Sequence, residues 1–165
     1  MKTSEKHNKD RVYKAIETGK MLPETRHKYN YYKRLIDQKK SLIKALKKEQ
    51  AGGSEDSIEF TRAAIEITEL ENSIFYMERI LKEYTQRKHD YEKFLDEVSI
   101  EADEKLAGTL EKAKKIGRNI RLQAAIADWE KNTPTDTTQR VQFYLFLLQE
   151  IDNFEDSKKK KGGRK

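Results

Sequence analysis

The sequence predicts an all-α fold: a long antiparallel helical hairpin or coiled coil, a further apolar helix near the C-terminus, and a disordered basic tail. Three observations carry that expectation. Charged residues make up 39% of the chain and apolar residues 35%, a balance typical of long solvated helices, since globular domains carry ~25% charge. Seven glycines and two prolines in 165 residues supply too little turn material for many short strands. The apolar residues are also strongly periodic, which separates this chain from disordered chains of similar polarity.

The main stripe runs Phe60, Ala63, Ile67, Leu70, Ile74, Met77, Leu81, Tyr84, Lys88, Tyr91, Leu95 and Val98, stepping by three and four. Such spacing keeps one seam turned toward a partner helix. Neither glycine nor proline interrupts residues 54–107, and GGSEDS supplies a break followed by a cap at Ser54 or Ser57. A helix over 57–107 follows, with Ile67, Leu70, Ile74, Leu81, Tyr84, Tyr91 and Leu95 as its seam. The preceding segment repeats the rhythm from Leu22 to Leu46, with Pro23 placed where a first helical turn tolerates it. Joined by AGGSEDS, the two stripes form a hairpin in which Leu46 faces Phe60, Ile36 faces Leu70 and Tyr29 faces Met77. Lys39 and Lys88 fall on the seams and read as residues that fix register.

The charge pattern supports this pairing. Residues 1–50 hold 15 basic and 6 acidic side chains, and residues 51–100 hold 6 basic and 12 acidic. The two halves therefore attract each other before any outside ligand is invoked. Leu35, Leu42, Ile58, Ile65, Tyr76 and Ile80 lie beside the seam, so a third element is expected to cover them. The expected organisation is a short N-terminal helical segment over 1–21, a hairpin and coiled-coil region over 22–131 weakened at Gly108, a linker over 132–137, an apolar helix over 138–156 and a basic tail over 157–165. A first helix starting at 22 is too short to cover the seam at 81–98, which argues for self-association or a partner.

The last helix holds six consecutive apolar residues, Phe143 to Leu148. A helix apolar on several sides is buried on several sides. It folds back over the leftover stripe, docks into a groove on another protein through Phe143, Phe146, Leu147, Leu148 and Ile151, or, as the least favoured alternative, lies on a membrane surface, where a basic polar face would be needed. Phosphate-contacting candidates are Lys114, Arg118 and Arg121, one helical face, with Lys158, Lys159, Lys160, Lys161 and Arg164 of the tail. An exposed, solvated face is the plainer reading of each.

No catalytic pattern emerges. The absence of cysteine removes disulfides, thiolate metal sites and cysteine nucleophiles. Glu24-x-x-His27 is half of a di-iron carboxylate motif with no second half, and His89–Asp90 has no other histidine to complete a metal site. No phosphate loop, nucleophile elbow or zinc spacing occurs. No cofactor and no metal are expected. The N-terminus lacks the apolar stretch of a secretory signal, and FYLFLL is far below the ~20 residues of a membrane span, so a cytoplasmic protein of cell or host, or one within a virion, is expected. The function expected is a non-catalytic structural or adaptor part of an assembly of scaffold or virion type, associating with a protein partner or itself through helices 57–107 and 138–156. The alternative is a nucleic-acid-binding protein that uses the basic faces and tail without sequence specificity.

Overall fold

A computed structural model describes residues 2–117 and 119–162, with side chains from residue 6 onward. The described residues form four α-helices and no strand: α1 Lys2–Ala51, α2 Ile58–Lys114, α3 Ile120–Lys131 and α4 Thr137–Gly162. Two compact units result. One is Pro23–Asp90, and the other joins the chain up to Leu22 with the chain from Tyr91 onward. No described helix is long and apolar enough to cross a membrane.

Pro23–Asp90 is the antiparallel hairpin. Gly52 and Gly53 donate to the carbonyls of Glu49 and Gln50 at 3.2 Å each, closing the end of α1. The Ser57 hydroxyl then accepts from the Phe60 N–H at 3.1 Å, satisfying one of the free donors that open α2. Ile36, Ile43, Ile67 and Ile74 form the buried core, with Leu46, Leu70, Met77 and Leu81 packed against it. Thus Ile67, Leu70, Ile74 and Leu81 occupy the seam as the spacing predicts. Lys40–Glu78 at 3.1 Å and Lys47–Glu71 at 3.5 Å bridge the two helices.

The register differs in detail from simple counting across the turn. Tyr29, expected opposite Met77, instead has the Lys88 ammonium 4.8 Å over its ring. Tyr84 stacks on Tyr32 at 6.0 Å. Helical side chains lean toward their own N-terminus. In an antiparallel pair the two leans are opposed, which moves tip-to-tip contacts by about one residue along each helix, a small part of the observed offset.

The other unit corrects several expectations. Residues 1–21 were expected as a separate short segment and Pro23 as a helix start, yet α1 begins at Lys2 and Pro23 lies inside it. An internal proline removes one backbone hydrogen bond; burial of Leu22 just before it and Thr25 just after it offsets the loss. Ala15 and Leu22 pack with Phe94, Leu95, Val98 and Ala102, and Val12 and Tyr91 flank the cluster. The seam at Tyr91 and Leu95 is therefore covered by this same chain, and the expected need for a partner there falls away. Likewise α2 passes through Gly108 to Lys114. Glycine in a helix costs about 1 kcal/mol, less than the burial of Thr109 and Ala113 and the packing of Leu106 and Leu110 provide. The break falls at 115–119, where Asn119 caps α3 by accepting from the Leu122 N–H at 3.1 Å.

α4 is the centre of this unit. Val141, Tyr144 and Leu145 enter the cluster with Ala15 and Val98. Leu147 enters a second cluster with Ala113, Ile116, Leu122 and Ile126, and Phe143, Phe146 and Ile151 close around it. Phe143 stacks on Trp129 with centroids 4.2 Å apart. A β-carbon on Gly19 would lie 2.5 Å from Gln142 Nε2, the atom that donates to the Ala15 carbonyl at 3.2 Å. The missing side chain leaves room for the Gln142 amide where α4 meets α1.

The basic segment from 157 is helical as far as Gly162, where a disordered tail was expected. Lysine tolerates helix well, and positive charge suits a helix C-terminus. The Lys158 ammonium lies 4.6 Å over the Phe154 ring, and Ser157 donates to the Asn153 carbonyl at 2.9 Å.

Leu147→Ala should lower unfolding free energy by about 3 kcal/mol in urea titration followed by circular dichroism. Thr18, fully buried with no partner for its hydroxyl, should give the opposite sign: Thr18→Val should raise stability by about 1 kcal/mol. A destabilised Thr18→Val variant would show that this hydroxyl is satisfied in solution.

Candidate functional site

The residues of α4 expected to dock on a partner are packed within the chain to different extents. Leu147 is fully buried, Phe143, Phe146 and Ile151 pack around it, and Leu148 packs on the cluster of Ala15 and Val98. Six successive apolar residues gave no way to tell an internal helix from a docking one. Leu147 is core, and Phe143, Phe146, Leu148 and Ile151 are half-buried against it.

The phosphate-contacting candidates are scattered and largely engaged. Lys114 bonds Glu130 at 2.5 Å and Glu111 at 3.4 Å, and Glu130 leads in raising its pKa. The Arg121 guanidinium lies 5.7 Å over the Phe146 ring. Lys158, Lys159, Lys160 and Lys161 are exposed on the last turns of α4, with Lys159 4.0 Å from Asp156. Arg118 and Arg164 lie outside the described residues.

Groups with catalytic potential are occupied or dispersed. Glu24 pairs with Lys28 at 2.7 Å, a hydrogen bond that holds its carboxyl below the ordinary value. Asp90 accepts from Gln86 at 2.9 Å. Among the described residues no cluster of three or more His, Asp or Glu is spaced to hold a metal ion.

A polar network that periodicity could not reveal ties the second unit together. Arg11 and Tyr144 both donate to Glu101, Tyr144 at 2.7 Å. Partial burial opposes the Glu101 charge, but donation from Arg11 and Tyr144 outweighs it, and the carboxyl lies below its usual range. Burial, and then the bond to Glu101, push the Tyr144 hydroxyl far above an ordinary tyrosine. An open groove of about 450 Å³ passes this network between His7, Lys14, Phe94 and Glu97. Its cations and carboxylates are mixed, and Lys14 already covers the Phe94 ring at 4.7 Å, so it favours no one ligand charge.

The feature left unsatisfied is on the hairpin Pro23–Asp90. The third element expected over its leftover stripe is absent from this unit, because α4 is used in the other one. Tyr31, Leu42, Tyr76 and Ile80 are exposed, Leu42 by 53% and Tyr76 by 63%. Each sits one residue before a seam position: Tyr32, Ile43, Met77 or Leu81. Leu35, before Ile36, is half-buried in the same row. The paired Lys40, Lys47, Glu71 and Glu78 sit four residues after seam positions. At 100° per residue those are opposite flanks. One flank of the hairpin is bridged by ion pairs, and the other carries these aromatic and aliphatic side chains between charged ones such as Lys28, Arg62, Glu66 and Glu69, with Ile58 and Ile65 exposed at its outer edge.

Comparison with protein-family models, curated proteins and solved structures finds no match to the chain.

The network sets a pH signature. Glu101 has a depressed folded pKa, so its stabilisation is present above ~4.3 and lost as pH falls through the folded value. Tyr144 has a raised one, so its contribution is full below ~10 and lost as pH rises toward the folded value. Melting temperature should therefore fall on both sides of a plateau. Glu101→Gln should flatten the acid limb and Tyr144→Phe the alkaline limb; unchanged slopes in both variants would remove the network from the pH response.

Proposed function

We propose that this chain is a non-catalytic structural or adaptor component of a multi-protein assembly of scaffold or virion type, and that the hairpin Pro23–Asp90 is the part that meets other chains. The observation that carries the reading is the two-sided hairpin. Its ion-paired flank is complete, while Tyr31, Leu42, Tyr76 and Ile80 on the other flank remain in water. Exposed single apolar residues are ordinary, but a row rimmed by charge marks an association surface. The unit containing α4 serves as the folded base, since its apolar helix is consumed internally.

On this reading association runs through the seam-flanking residues of 23–90. A photoactivatable phenylalanine at Tyr76, in the full chain expressed in cells, should give a discrete cross-linked band that Leu42→Asp abolishes. A chain that cross-links nowhere from this flank would sink the assembly reading.

A further inference from the structure

We infer that the last turns of α4, residues 157–162, bind the phosphate backbone of B-form duplex DNA by entering its major groove, without reading sequence. The inference stands apart from the hairpin reading above and adds a second, chemically different partner at the other unit.

Four bases follow one another from Lys158 to Lys161, whereas elsewhere in the chain no more than two are adjacent. The needs of a helix end do not call for such a run. α1, α2 and α3 close with one or two bases in the last turn: Lys48, Lys112 with Lys114, and Lys131. Those suffice for the helix dipole, while further like charges a turn apart repel one another. Solvation does not call for the run either, because exposed bases elsewhere sit one turn from an acid, as in Lys28–Glu24, Lys93–Glu97 and Lys114–Glu111. Within the run Lys158 lies over the Phe154 ring and Lys159 stands 4.0 Å from Asp156. Both lysines are exposed, so a phosphate can displace either contact. Lys160 and Lys161 have no ion pair among the described residues. Of the acids just before the run, Asp152 accepts from Asn8 at 2.7 Å and Asp156 faces Lys159, which leaves Glu155 as the exposed one.

Geometry selects duplex DNA among anionic partners. Residues 157–162 are all exposed, although so many helical residues pass right round the axis, so no face of this segment is packed on the protein. At 1.5 Å per residue it extends about 9 Å, and the major groove of B-DNA is about 8.5 Å deep and wide enough to admit a helix. At 100° per residue Lys158 and Lys161 fall on one side of the axis and Lys159 and Lys160 on the opposite side. Two rows of cations set back to back suit a groove walled by a phosphate strand on either hand. A flat lipid surface meets only one row, and the segment has no apolar residue to enter lipid. A-form RNA closes its major groove to a deep, narrow cleft. The segment holds no Arg, Asn or Gln, so its contacts are charge on phosphate, which position a protein without specifying bases.

The test is fluorescence anisotropy of a labelled, mixed-sequence DNA duplex titrated with the purified full chain. Affinity should fall about 100-fold between about 0.05 and 0.2 M salt, the response of four phosphate contacts at ~0.9 each in the log–log slope. Lys158→Gln, Lys159→Gln, Lys160→Gln and Lys161→Gln should each lower that slope by about 0.9, and the fourfold variant should lose at least about ten-fold in affinity at the lower salt. Glutamine matches lysine in helix propensity, so circular dichroism should be unchanged; the single variants decide the matter should the fourfold one lose helix. Duplex RNA of the same length should bind at least about ten-fold more weakly, and phosphatidylserine vesicles should not displace the DNA. No binding at the lower salt overturns the inference, as does binding that survives the fourfold variant. Equal affinity for RNA, displacement by the vesicles, or effects confined to one of the two lysine rows overturns the groove. The cross-link from Tyr76 tests the hairpin reading separately and is indifferent to all of these results.

Discussion

The unit that holds α4 depends on covering a helix that is apolar around most of its circumference. Val141, Tyr144, Leu145 and Leu147 point to more than one side and all are buried. One neighbour cannot do this. The first turns of α1, the second half of α2 and the whole of α3 supply the walls. Hence α1 extends back to Lys2, α2 continues past Gly108, and α3 is set against α4 by an Asn119 side chain that donates to Glu150 at 2.8 Å. Each of these features looks locally unfavourable or unremarkable, and each follows from the need to exclude water from α4.

Burying α4 also creates its polar cost. Tyr144 is nearly inaccessible overall, so its hydroxyl needs an acceptor. Glu101 supplies one but brings a charge, which Arg11 neutralises from α1. Arg140, at the start of the same helix, reaches Ser99 at 3.0 Å and Asp103 at 2.5 Å on α2. Polar contacts thus pin α4 against both α1 and α2, where apolar packing alone would allow it to rotate or slide.

Periodicity made the seam of the hairpin legible: Ile67, Leu70, Ile74 and Leu81 were marked by spacing, and the double glycine marked the turn. Burial of the same residues shows why, since a 3-4 stripe has only one face to hide. The sequence was silent where two signals competed. Pro23 suggested a start and Gly108 a stop, each a penalty of known size, and tertiary burial outweighed both. The last helix showed that it must be buried but not by what, because a string of apolar residues names no neighbour. The Arg11–Glu101–Tyr144 cluster joins residues from three separate helices, a relation no local spacing encodes. The exposed flank was visible as a leftover stripe, although its expected cover proved to be committed elsewhere.

The two units therefore differ in how far their apolar surface has been used. Helix propensity alone cannot maintain a long pair of helices, because most helical stability in proteins comes from packing one face against something. In the hairpin Pro23–Asp90 the buried layer is one residue deep, mostly isoleucine, and the charges that bridge it are exposed pairs worth below about 1 kcal/mol each. Long-range electrostatics there set which helix lies beside which, not how tightly. Such a unit gains more from a second apolar layer than the α4 unit does, whose apolar helix is already enclosed.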